Sequence, residues 1–168
     1  MNLSEDMKRV VLEQRLGFVA TVTPDGRPNL SPKGTTTVWD DEHLVFADIA
    51  SPGTVANLAV NPHVEVNVVD PIVRKGYRFK GTATVHTDGP SYERGMEVLR
   101  ELGSTIGRDR VRSIVVIEVT SAAPIFSPAY DDPATTEHDL AERWLRHHMD
   151  LHQDSTASSA TAARQQSS

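Results

Sequence analysis

The chain contains no cysteine. Disulfide bonds, thiolate metal sites and a cysteine nucleophile are therefore excluded at the outset. Aromatic residues make up 5% of the 168 residues, too few for the stacking platforms of single-strand nucleic-acid binders. Lysine and arginine number 17 against 23 aspartates and glutamates, a formal net charge of -6. That balance gives no basic face for a phosphate backbone. No apolar run approaches the roughly 20 residues that span a bilayer, and the opening MNLSEDMKRVVLEQ is charged too early and too often for a secretory leader. A G-x-G-x-x-G fingerprint is missing. The serines lack a nucleophile-elbow context and the histidines a fixed partner, so no catalytic triad is read and the catalytic residues stay unassigned. These absences predict a soluble, cytoplasmic protein that binds neither nucleic acid nor membrane.

What is present is one domain of ordinary size, placed at residues 1–152, with enough chain to bury about two thirds of its unfolded surface. Residues 153–168, QDSTASSATAARQQSS, have no apolar side chains larger than alanine and are expected to form a disordered, dispensable tail. Ser4 with Glu5 and Asp6 starts a first helix, whose face carries Met7, Val10 and Val11, and Gly17 is expected to end it. Residues 18–23 read as a strand. Thr23-Pro24-Asp25-Gly26 is a hairpin turn, with Pro preset for the second position and Gly ready for positive φ. The returning strand starts at Pro28 and its continuation runs through the threonines to Trp39. After a turn at Asp40–Asp41, Leu44–Asp48 alternates like a strand with one covered face.

A helix over Ser51–Val60 follows, stopped by Asn61-Pro62. Residues 63–70 and 77–86 alternate as two half-buried strands. Gly89-Pro90 opens a helix with Tyr92, Met96, Leu99 and Leu102 at helical spacing, closed by Gly103. The run Ile114–Ile117 is apolar on both faces and belongs in the middle of a sheet. Ala123–Tyr130 reads as a final extended segment, and residues 136–152 as an amphipathic helix with Leu140, Trp144 and Leu151 on one stripe. Short strands joined by hairpins, with helices only at connections and ends, predict a mainly β protein with peripheral α: a six-stranded antiparallel split barrel.

Two stretches offer backbone N–H groups to an anion. One is the bend Ser31-Pro32-Lys33-Gly34; the other is the helix start Ser51-Pro52-Gly53-Thr54, where unpaired N–H groups and the helix dipole both favour negative charge. Each has a plainer reading. Thr35–Thr37 serve equally as strand formers, and Ser51-Pro52 is also an ordinary cap with proline at the first helical position. Arg78 and Lys80 fit the wet face of a strand, and Gly81 a bulge. His148 and His152 stand one helical turn apart beside His147, but no third ligand or carboxylate is specified, so no metal site is assigned.

The stretches LGFVATVTPDGRPNLSPKG, HLVFADIASPGTVANLAVNPHVEVNVVD and YRFKGTATVHTDGP carry a resemblance. In composition and order they resemble the pyridoxamine 5'-phosphate oxidase-related FMN-binding split barrels, above all the small stand-alone FMN-binding proteins, over roughly residues 15–120. The resemblance implies a homodimer with FMN in clefts at the subunit interface. It assigns flavin and phosphate contacts to Pro32, Lys33, Gly34 and Thr35, then to Asp48, Ile49, Ala50, Ser51 and Thr54. Many relatives place a cation at the start of the internal helix, whereas Ser51-Pro52-Gly53-Thr54 has none. The phosphate's charge is then expected to be met by Lys33, or by Arg78 or Lys80 from the same or a partner chain. The basic C-terminal segment of the true vitamin B6 oxidases is also absent, which points away from that activity. The expected function is an FMN-dependent oxidoreductase acting on a small-molecule substrate. The alternatives are a flavin-binding or storage protein without turnover, and a reductase of the same fold using the deazaflavin F420.

Overall fold

The structure, a computed structural model, describes the backbone of residues 1–165 and the side chains of residues 1–152. The chain divides into two compact units, residues 1–69 with 76–125, and residues 70–75 with 126–168.

The first unit opens with α1 (Glu5–Gln14), whose N-cap Ser4 accepts from the Met7 amide as expected. The helix ends at Arg15, which takes the left-handed conformation at φ 51, not at Gly17. Gly17 begins β1 (Gly17–Val22) and is required there for another reason: a Cβ would lie 2.5 Å from the Thr36 hydroxyl. The hairpin turn leads to β2 (Pro28–Lys33), then β3 (Thr37–Val38), β4 (His43–Asp48), α2 (Pro52–Val60), β5 (His63–Asp70), β6 (Lys75–His86), α3 (Gly89–Glu101) and β7 (Ser113–Phe126). The expected long second strand is broken at Gly34–Thr36, which raises the strand count from six to seven. The segment expected over 123–130 is absorbed into β7 as far as Phe126, and Pro128 instead opens a 3-10 turn, where its fixed φ suits a first helical position.

The sheet order is β2-β1-β5-β6-β7-β4-β3, with β1 antiparallel to β2 and β5, and β4 antiparallel to β3 and β7. β2 and β3 are thus the two edges. In a flat sheet of seven strands the edges would lie about 29 Å apart at ~4.8 Å per strand. The three residues 34–36 between them span at most about 14 Å. The sheet must therefore curl until its edges approach, which makes it a split barrel with its seam at the β2–β3 bend.

Inside the curl lie Val19, Leu44, Phe46, Val66, Phe79, Val115 and Ile117, closed off by Val11 of α1 and Leu58 of α2. On the opposite face of β4 and β7, Val45, Ala47 and Ile114 pack under Tyr92, Met96 and Leu99 of α3. β4 is thus buried on both faces, where the alternation had suggested one; α3 covers the second. This packing is close. A Cβ on Gly95 would sit 2.5 Å from Cγ2 of Ile114, and a β-branched strand residue has little χ1 freedom to yield. Gly95→Ala is expected to cost about 1–3 kcal/mol as an overpacked core, read as a lower melting temperature at ~2–4 °C per kcal/mol. An unchanged melting temperature would show that Ile114 gives way freely.

In the second unit, α4 runs Glu137–Gln165, past the residue-152 limit expected for that helix. The end of the expected tail, residues 166–168, lies outside the described residues, as do the side chains of 153–165. The Arg74 guanidinium lies 3.5 Å from the Trp144 ring centroid, and Lys75 stands 4.4 Å from that of Tyr130. Leu140 is buried as predicted, whereas Leu151 on the same stripe is exposed.

Candidate functional site

The strand period decides which side chains reach the mouth of the barrel. Along β2, Pro28, Leu30 and Pro32 face outward, so Asn29, Ser31 and Lys33 turn inward. On β1, Val19 and Thr21 share that inner face. The result is a polar column beside α2. Thr21 Oγ1 accepts from the side-chain amides of Asn29 at 3.1 Å and Asn57 at 3.0 Å. Next along the column is Ser31, and then Lys33.

Lys33 is 4% exposed. Its Nζ donates to Ser31 Oγ at 2.9 Å and to Thr54 Oγ1 at 3.3 Å, and lies 5.6 Å from the Phe46 ring centroid. Among the described residues no carboxylate approaches it closely enough for an ion pair. Burial lowers the ammonium pKa from its ordinary value, and the negative charge of Asp48 opposes that shift without cancelling it. An ammonium held in the interior by two hydroxyls is incompletely compensated, and an incoming anion would stabilise it.

The helix start completes the cluster in an unexpected way. Ser51 is the N-cap residue of α2, but its side chain caps nothing. Its amide instead donates to Asp48 Oδ1 at 2.8 Å, and its hydroxyl lies 3.5 Å from that of Ser31. Released from capping, the hydroxyl joins the Ser31–Lys33–Thr54 group. Asp48 and Thr54 are both buried.

The bend is tied across the seam by Thr35, whose Oγ1 accepts from the Ala47 amide at 2.9 Å. Thr35 thereby supplies a ladder bond that β3, only two residues long, does not provide. Thr36 donates to the Lys33 carbonyl. Of the residues named from sequence, Lys33 is thus brought against Thr54 with Asp48 nearby, Ser51 is tied to Asp48, and Thr35 is tied to Ala47 beside Asp48, while Pro32 faces outward. Arg78 and Lys80 are not in this group. They stand on the exposed face of β6, where Glu65 pairs with Arg78 at 3.0 Å and Lys80 at 3.8 Å. His147 and His148 pack around the Trp144 ring, and among the described residues no three metal-ligating side chains converge.

One residue escaped the sequence reading. Ser113 is the cross-strand partner of Asp48, so the two share a sheet face, and its buried hydroxyl has no hydrogen-bond partner. Only the β4–β7 register identifies it; nothing in the run around Ile114 marks the serine before it.

A curled antiparallel sheet closed at the β2–β3 bend defines the class of split-barrel proteins. The family model for pyridoxamine 5'-phosphate oxidase matches residues 3–123, and the chain belongs to that family. HupZ from Group A Streptococcus is similar at 30% identity and a TM-score of 0.64, over 71% of this chain and 91% of that one. An F420 reductase shares the fold at 22% identity and TM-score 0.58, over 72% and 98% of the two chains. So does an FMN-binding protein from Syntrophomonas wolfei, at 15% identity and TM-score 0.58, over 71% and 84%.

Proposed function

We propose that this protein is a flavin-nucleotide oxidoreductase that holds FMN at the barrel mouth and acts on a small molecule. The observation that carries this reading is Lys33, a buried ammonium with hydroxyl neighbours and no carboxylate pair, set beside the start of α2. Its donor set suits a phosphate: one cation, the hydroxyls of Ser31, Ser51 and Thr54, and the positive end of the helix. The resemblance assigns Pro32, Gly34, Thr35, Ile49 and Ala50 to the rest of the ligand. When bound, the flavin supplies hydride or electron transfer. The chain's own work is then to bind, orient and shield, which accords with the lack of an acid–base constellation.

A second reading has its own support. Asp48 is buried near Lys33, so its negative charge offsets part of the ammonium's. A phosphate monoester brings close to two negative charges at neutral pH, whereas a phosphodiester, as in the deazaflavin F420, brings one. The charge balance of this chain alone favours the diester, and the monoester needs a further cation, for which Arg78 or Lys80 of a second copy is the candidate. The chromophore released by denaturing protein purified without added cofactor decides between them by mass. Oxidation of a reduced nicotinamide at steady state separates an enzyme from a flavin-storage protein. Absence of any flavin or deazaflavin would overturn both readings.

The reading includes a homodimer. Phe18, Val22, Leu30, Pro28 and Pro32 form an outward apolar stripe on β1 and β2, with Leu30 64% exposed. Beside it, Asn67, opposite Phe18 on β5, has a buried side-chain oxygen with no partner. Such a patch on an edge pair favours self-association. Light scattering at micromolar concentration is expected to give a dimer, and Leu30→Glu to shift it toward monomer. A monomeric wild-type protein would remove the second copy from the site.

A further inference from the structure

A second cavity lies on the α3 side of the Gly34–Thr36 bend. It encloses about 230 Å³ and is lined by Arg15, by Leu99, Leu102 and Ile106, and by the bend residues Thr35 and Thr36. Three properties of Arg15 together suit it to hold an anion. Among the described residues it is one of two non-glycine residues with positive φ, the other being Arg74, a conformation that L side chains adopt at a cost. Its backbone and side chain are fixed: the amide donates to the Val11 carbonyl, Nε to that of Leu12 at 3.3 Å, and Nη1 to that of Leu102 at 3.0 Å. It also forms no ion pair among the described residues, a state it shares with Arg74, Arg100, Arg110, Arg112 and Arg143 but not with Arg9, Arg27, Arg78, Arg94, Arg108 and Arg146. Among the described residues Nη2 makes no hydrogen bond. The guanidinium is therefore already oriented, so little side-chain freedom remains to be lost when a ligand binds.

We propose that this cavity is a binding site for a small apolar carboxylate, its body against Leu99, Leu102 and Ile106 and its carboxylate on Nη2 of Arg15. Three aliphatic side chains and one oriented cation are the usual make-up of a small-molecule site, a greasy wall with few polar groups to fix orientation. The volume holds roughly eight non-hydrogen atoms at about 30 Å³ per water-sized group, close to the size of benzoate. The cation is needed here because the cavity also faces the C-terminal end of α3, whose dipole disfavours an anion. Arg15 both caps the Leu102 carbonyl and supplies the compensating charge. The site is separate from the Lys33 cluster and does not depend on which flavin that cluster binds. It shares the Gly34–Thr36 wall with the Lys33 bend, so an occupant touches the segment that carries Lys33.

Saturation-transfer NMR on the full chain with benzoate, and with benzyl alcohol as the neutral control, tests the proposal. Wild type is expected to bind benzoate with a dissociation constant of roughly millimolar or better. Arg15→Gln should weaken benzoate by about tenfold or more, as for a lost charge-assisted bond, and leave benzyl alcohol nearly unchanged. Ile106→Trp, which fills the cavity and leaves the bonds of Arg15 in place, should abolish both. Wild type that gives no benzoate signal, or either variant retaining wild-type benzoate affinity, would overturn the site. An Arg15→Gln protein that loses its circular-dichroism spectrum leaves Ile106→Trp to decide.

Discussion

Lys33→Ala is expected to weaken FMN binding by about tenfold or more while leaving riboflavin, which lacks the phosphate, far less affected. The magnitude follows from the loss of one charge-assisted hydrogen bond, about 1.5–3 kcal/mol. The α2 start alone, with its N–H groups and dipole, supplies at most ~2 kcal/mol in a favourable site, too little to hold a buried dianion. Among the described residues Lys33 is the one cation brought to that start, at hydrogen-bond distance from Thr54. Fluorescence titration of both flavins against wild type and variant reads the difference. Equal losses would place Lys33 at the ring rather than the phosphate. No loss for either would transfer the charge to Arg78, reaching in from a second copy. The substitution also removes a buried unpaired charge, so the ligand-free variant is expected to be no less stable than wild type despite the smaller side chain. That separates the binding effect from a folding defect.

The second large effect is on pH. Burial lowers the Lys33 pKa in the ligand-free protein, while the unfolded chain keeps the ordinary value near 10.4. Between those two values the unfolded state binds more protons than the native one. The stability contribution of Lys33 therefore rises with pH through that window, and the full cost of burying the ammonium is present below it. Anion binding acts in the opposite sense. A phosphate favours the ammonium and raises its pKa, so binding takes up a proton wherever Lys33 was partly neutral. FMN affinity is accordingly expected to increase as the phosphate loses its second proton near pH ~6. It should then fall, by up to ~tenfold per pH unit, above the lowered Lys33 pKa. Riboflavin should show neither limb from these two groups. Calorimetry in two buffers of different ionisation enthalpy would detect the proton uptake on the alkaline side. A pH-independent FMN affinity across that range would mean that the lysine is already paired in solution.

The charge balance at the barrel mouth also bears on how this chain departs from the family pattern. A cation at the helix start, which the resemblance implies for many relatives, would meet an anion from α2. Here Gly53 and Thr54 occupy that turn, and the cation arrives from the end of β2, behind two hydroxyls. Delivered from the barrel interior, Lys33 is more deeply buried than a helix-start side chain on the surface would be, and is therefore more costly to leave uncompensated. The same burial that makes the site demanding for an anion makes it sensitive to what Asp48 does nearby.

Much of this was legible in the sequence. Local chemistry identified the Ser4 cap, the Thr23–Gly26 turn, the proline-opened helices and the glycine after α3, because each depends on the φ preference or hydrogen-bonding capacity of one or two residues. Alternation placed Val64, Val66 and Val68 on the inner face of β5, and Phe79 and Ala83 on that of β6, since a period of two needs only one strand. The bend 31–34 and the helix start 51–54 were marked by their own residues, and Thr35 and 48–50 were added by the resemblance. What sequence left open lay in relations between strands. Leu44–Asp48 reads as half-covered until α3 is laid over it, because burial of the second face depends on a helix some 45 residues further on. Arg15 was missed as the helix end because nothing local requires an arginine to adopt positive φ; its bond to the Leu102 carbonyl comes from α3. Arg78 and Lys80 were placed near the phosphate on spacing, and the partner they acquire, Glu65, comes from the neighbouring strand. Ser113 could not be found at all without the β4–β7 register. The sequence by itself determined the segments and their inner faces, since propensity and periodicity act over a few residues. Only the tertiary structure decided that the bend after β2 closes a seam, that Ser51 leaves its capping role, and that Lys33 is buried without a paired carboxylate. Those outcomes depend on sheet order and register, which join residues dozens of positions apart.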